Sequence, residues 1–175
     1  MTDLRYPIGP FQPPAQPAAV RAANIRRLAR IPAALRLAVA DLSDEQLNTP
    51  YRPDGWTVRQ LVHHVADSHV NLYMRLKLAL TEVNPTIRPY EEQLWAELAD
   101  VATTPIATSL AILDGVHERA DRVLRRLDDA AFSRTYVHPA SGQHTVDYLV
   151  AMYAWHGEHH IAHVTSLRER SGWAS

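Results

Sequence analysis

Cysteine is missing from the chain altogether, and with it go disulfide frameworks, thiolate nucleophiles and Cys-based zinc sites. Any thiol that takes part in the chemistry has to arrive with a small molecule. A surplus of charge is missing as well, since 18 Lys and Arg stand against 19 Asp and Glu for a formal charge of −1. Interspersed signs provide no broad basic face for a phosphate backbone, so nucleic acid is not the expected partner. No uncharged apolar run reaches the 18 or so residues of a membrane helix, and the opening MTDLRYPIGPFQPP lacks a basic stretch leading into an apolar one. A soluble cytoplasmic protein with no membrane partner is expected.

What the chain has in excess is histidine. Seven of its ten histidines fall in two short windows, His63, His64 and His69 in the first and His156, His159, His160 and His163 in the second. Imidazoles concentrated in this way point to metal binding, and the face that each ring occupies decides which of them can share an ion.

The length of 175 residues suits one domain. Prolines crowd residues 1–17, each fixing its own φ and biasing its predecessor towards extended geometry, so this stretch reads as an arm. The remainder, 18–175, reads as a single domain. Leu28, Ile31, Leu35, Val39 and Leu42 recur at helical spacing over 18–41, with Pro32 expected to kink or split the helix. Ser43 to Gln46 and Thr57 to Gln60 are capping boxes. The second opens a long helix striped by Val58, Leu61, Val65, Leu72, Leu76 and Val83, which Asn84-Pro85 ends. Residues 89–98 suit a short connecting helix. Pro105 suits the first position of a third long helix striped by Ile106, Leu110, Leu113, His117, Ala120, Leu124 and Leu127. Residues 133–144 carry weak hairpin signals, and Thr145 is a plausible N-cap for a last helix running to about Arg170. Four long amphipathic helices with little strand and no Gly-rich turn make an all-α four-helix bundle.

Helical residues advance about 100° each, so every histidine has a phase relative to its own apolar stripe. Measured from Val146, His160 lies about 40° round the last helix and His156 about 80° round it, both at one edge of the core. In the same sense His163 lies about 100° round and His159 about 140° round, the most outward of the four. The 156/160 pair has the i, i+4 spacing that lets two imidazoles reach one ion. A third ligand then has to come from a facing helix. Measured from Val58, His69 lies about 20° round and His63 about 140° round in one sense, and His64 about 120° round in the other. Phase alone favours His69, with His64 placed on a helix–helix seam, and it leaves the choice open.

The segments GWTVRQLVHHVADSH, IRPYEE and WHGEHHIAH resemble the YfiT-like branch of the DinB-like superfamily, and the similarity runs from RYPIG to SGW. That family places a His eight residues after a Trp, matched by Trp56 and His64, and a His-x3-His near the C-terminus, matched by His156 and His160. The resemblance implies a three-histidine metal site of His64, His156 and His160, on an up-down-down-up bundle that is usually dimeric. The doubled His63-His64 leaves a one-residue ambiguity, with His63 expected to be the more solvent-facing.

Three neutral imidazoles leave a divalent ion, Zn²⁺ or Ni²⁺, with its full charge and an open coordination position. Two activities follow, and the resemblance implies both. One is a metal-dependent hydrolase; the other is an S-transferase that activates a low-molecular-weight thiol of the bacillithiol or mycothiol kind. A non-catalytic, metal-stabilised interaction module is a third reading. Candidate bases for hydrolysis are Asp67, one turn beyond His64, and Glu158, whose phase points away from the ion; either also suits a solvated helix charge. Arg88 and Tyr90 are candidates to grip an anionic thiol cofactor. His117 is expected as a hydrogen-bonded core residue, and Trp56 and Tyr153 as cavity walls.

Overall fold

A computed structural model describes residues 3–173. Its four long helices are α1 (Pro17–Ala38), α3 (Val58–Thr81), α6 (Ile106–Leu124) and α8 (Val146–Ser171). Between them lie the short helices α2 (Asp44–Leu47), α4 (Glu92–Ala96), α5 (Ala99–Thr103) and α7 (Asp129–Phe132), and an antiparallel hairpin of β1 (Thr135–His138) and β2 (Gly142–Thr145).

Side-chain pairs fix the helix directions. Arg21 binds Asp147, Arg27 binds Glu158 and Arg168 reaches the Ala38 carbonyl, so α1 and α8 run parallel. His63 meets Ser109 and His69 meets His117, so α3 and α6 are also parallel. His64 meets His156, whereas Arg75, further along α3, meets Tyr153, which makes α3 antiparallel to α8. The topology is up-down-down-up. Leu28, Ile31, Leu35, Leu61, Leu72, Leu76, Leu113, Leu124 and Leu149 are buried between the four helices and form the core.

The starts of α3 and α8 follow from local chemistry. Both capping boxes form, with Thr57 Oγ1 accepting from the Gln60 N–H and Gln60 Oε1 accepting from the Thr57 N–H at 3.0 Å. The Thr145 hydroxyl accepts from the Tyr148 N–H and opens α8. At the other end of α8, Gly172 takes a left-handed conformation at φ 64°, which a residue with a Cβ adopts only under strain.

Three expectations need correction. Pro32 does not split α1, which runs through it with the proline buried. Pro105 is the N-cap of α6 and not its first helical residue. The connecting segment holds two short helices, the second of them α5. The Pro-rich arm is a strap over α8: Trp155 Nε1–H donates to the Gly9 carbonyl at 3.2 Å, and the Phe11 ring packs on Tyr148 and Trp155.

Candidate metal centre

Three imidazoles meet where the N-terminal half of α3 faces the middle of α8. His156 Nε2 lies 3.3 Å from His64 Nε2 and 3.2 Å from His160 Nε2, and all three ligand atoms lie within 4.8 Å of one another. The i, i+4 spacing stacks two of these rings on one face of α8. The third is held by the Trp56 ring, 4.5 Å from that of His64, and Trp56 is fixed in turn by its indole N–H donating to Gln93 Oε1 at 2.9 Å.

Burial keeps these rings neutral. It lowers the His64 pKa to about 4 and drives those of His156 and His160 well below the ordinary value, with their mutual repulsion adding to the effect. A neutral imidazole carries one proton, and the Nδ1 atoms of His156 and His160 are buried without a protein partner. With the protons on Nδ1, the lone pairs of the Nε2 atoms converge on one point, where they repel unless a cation sits among them. Two nitrogens bound at about 2.0–2.1 Å in tetrahedral geometry stand about 3.4 Å apart, close to the spacings found here. The cluster suits a divalent metal.

The other histidines of the long helices fall into two groups. His69 is fully buried, and its Nδ1 lies 2.7 Å from His117 Nε2, so the ring favoured by phase packs beside His156 but stays outside the group of three converging nitrogens. The Leu28 carbonyl lies beside the His117 imidazole and raises its pKa against the larger lowering by burial. Leu28 is four residues before Pro32, so this is the carbonyl that the proline, lacking an N–H, leaves without its helical partner. His117 is therefore a satisfied core residue, as its place in the stripe predicts.

His63, His159 and His163 contradict the reading of their phases as outward. His63 is buried, with Nδ1 2.7 Å from Ser109 Oγ on α6. His159 and His163 are buried with Nε2 atoms 3.1 Å apart, the first beneath Trp155 and Tyr6 and the second against Tyr51. The arm and the turn at residues 50–55 cover what would otherwise be an exposed side of α8.

An open cavity of about 730 Å³ leads from the three imidazoles. Tyr90 lines it, while Asp67, Arg88 and Glu158 do not. Asp67 is half-buried, and its pKa is raised to about 6 by burial and by nearby Asp100. Glu158 accepts from Arg27 Nε at 2.9 Å, on the α1 side of the helix, and Arg88 is exposed. The carboxylates on the cavity wall are Asp54 and Glu92, neither of which stands out in the sequence. Trp56 and Tyr153 are both wall residues, as expected.

The sequence profile of the DinB superfamily matches residues 27–164, most of the chain and all three of the converging histidines. The chain belongs to the DinB superfamily. Within it the resemblance is to YfiT-like proteins. A Bacillus mycoides relative named as a candidate metal-dependent hydrolase is 49% identical over 174 residues, covering 99% of this chain and 100% of the relative. A Bacillus cereus relative with the same designation is 48% identical over 175 residues, at 99% and 100% coverage. The solved structure of YfiT from Bacillus subtilis, described as having an unusual four-helix bundle topology, is 46% identical and superimposes with a TM-score of 0.94, covering 98% of this chain and 99% of that one. For this DinB-superfamily chain the doubled-histidine ambiguity is settled in space: His64 reaches the α8 pair, and its neighbour turns to α6.

Proposed function

We propose that this chain is a metal-dependent hydrolase of small molecules, with one divalent ion held by His64, His156 and His160. The observation that carries the reading is the convergence of three buried Nε2 atoms at ligand spacing beside an open cavity. Zn²⁺ is the ion proposed first, because neutral imidazoles at tetrahedral spacing suit it, with Ni²⁺ as the alternative. The chemistry supplied with such an ion is Lewis acidity and a lowered pKa of water.

The protein's own residues prepare that chemistry. Burial holds the three imidazoles unprotonated at neutral pH, so no proton has to leave them before they ligate. Trp56 covers His64 on the open side. The phenols of Tyr90, Tyr136 and Tyr153 are pushed up by burial and keep their protons, which makes them hydrogen-bond donors to a bound substrate. Since Asp67 and Glu158 stand off the cavity, the proton acceptor is proposed to be one of the two carboxylates that line it, Asp54 or Glu92.

One observation favours transfer of a small thiol as a second reading. No carboxylate among the described residues is hydrogen-bonded to any of the three imidazoles, and a thiolate attack needs no general base. The two separate in one experiment. Zn²⁺-loaded protein is incubated with an ester and amide panel, and separately with a small thiol plus a chlorinated aryl acceptor. Cleavage without thiol, abolished by chelation and restored by Zn²⁺, supports hydrolysis; an adduct formed only with thiol replaces it with transfer.

A further inference from the structure

Helix α3 presents more than His64 to the cavity. Ser68 and Arg75 also line it, and at about 100° per residue all three lie within about 40° of one direction. Arg75 is a buried cation, 9% exposed. Among the described residues it makes no ion pair. Its Nη1–H donates to Tyr153 Oη at 3.0 Å, while Nε is buried with no acceptor.

This is not how the fold treats a structural arginine. Arg21, whose side chain is 14% exposed, is given both Asp147 and Asp129. A guanidinium withdrawn from water without a carboxylate is costly unless an anion joins it. The groups that share this cavity with Arg75 include the hydroxyls of Ser68, Tyr90, Tyr136 and Tyr153, which carry no negative charge to offset the guanidinium. Glu92 is the carboxylate of this region, on exposed α4, and it forms no ion pair with Arg75. Tyr153 links the two ends of the site, since its ring packs on His156 and its hydroxyl holds Arg75.

We propose that Arg75 is the anion anchor of the cavity, and that the substrates carry a carboxylate that docks on its guanidinium while the bond to be cleaved lies at the three imidazoles. A planar monoanion with two oxygens matches the fork of Nε–H and Nη–H. A phosphate dianion would set two charges against one guanidinium, with Glu92 nearby. The word substrate rests on the hydrolase reading; the anion site does not, and its test needs no turnover.

The test uses metal-free protein, so that carboxylates have no ion to bind. Acetate, benzoate and phenylacetate are each titrated against their primary amides while the ¹⁵N–¹H resonance of Arg75 Nε is followed, assigned by its disappearance in Arg75→Lys. The acids are expected to shift this resonance and the amides not. Arg75→Gln is expected to weaken benzoate binding about tenfold or more, as loss of a charge-assisted pair does. Metal-free Arg119→Gln, at an exposed arginine off the cavity, should bind benzoate like the wild type. Should both Arg75 variants misfold, the acid-against-amide comparison in the wild type still decides. Equal binding of acids and amides, benzoate binding undiminished in folded Arg75→Gln, or a shift caused by inorganic phosphate alone would overturn the proposal. Failure of the hydrolase reading would look different: benzoate bound at Arg75, and no ester or amide turned over.

Discussion

Pro32 and His117 are coupled through one carbonyl, and a double-mutant cycle measures that coupling. His117→Leu removes the imidazole that lies beside the Leu28 carbonyl and leaves His69 Nδ1 without its partner, so up to two buried polar groups are stranded. At about 1–3 kcal/mol for each, the substitution destabilises the protein by about 2–6 kcal/mol if both are stranded. Pro32→Ala restores a backbone N–H four residues after Leu28, so in that background the carbonyl regains its helical partner without help from the imidazole. His117→Leu should then destabilise by about 1–2 kcal/mol less than it does in the wild type, the share that belongs to the carbonyl. Urea unfolding of the four metal-free proteins at neutral pH gives the cycle. Additivity within about 0.5 kcal/mol would refute the coupling. Loss of metal binding in His117→Leu would refute the assignment of this histidine to the core.

Gly157 lies against α1, and a Cβ there would stand 2.3 Å from Ile31 Cδ1 and within 2.9 Å of Cγ1 and Cγ2. Gly157→Ala should therefore destabilise by about 1–3 kcal/mol through overpacking, read as a lower Tm, and Ile31→Ala in the same chain should recover part of it. The metal-free protein should also lose stability as pH falls. Burial depresses the folded-state pKa of His64 and His117 to about 4 and that of His163 to about 3. The unfolded chain therefore takes up protons first, near its ordinary value of about 6.5, and stability present above that value is lost on the way down to about 4. A Tm that stays level across that window would contradict the burial of these rings.

Much of the fold was legible because it is local. The capping boxes at Ser43 and Thr57 and the N-cap at Thr145 each depend on residues within one turn, and all form as expected. The inward edge position of His156 and His160 was legible for a similar reason, since phase along one helix is fixed by geometry. Phase failed where non-periodic segments cover a helix. His159 and His163 look outward on α8, yet the arm and the turn near Tyr51 lie over them. His63 looks outward on α3 and meets Ser109 instead. The choice of His64 over His69 came from the family motif, because His69, facing the bundle centre, has Nδ1 on His117 and packs beside His156 without joining the three converging nitrogens. Arg75 was readable in principle, sharing a face with His64 and Ser68, but only its missing carboxylate partner marks it as unusual, and that is a fact of packing.

Metal stoichiometry across single alanine substitutions, measured by elemental analysis after Zn²⁺ loading and buffer exchange, tests whether His64, His156 and His160 hold the ion. One ion per chain is expected in the wild type and in folded His63→Ala, His159→Ala and His163→Ala, with the ion lost from His64→Ala, His156→Ala and His160→Ala. An ion retained by His64→Ala, or lost from His63→Ala while that protein stays folded, would rule out this ligand set.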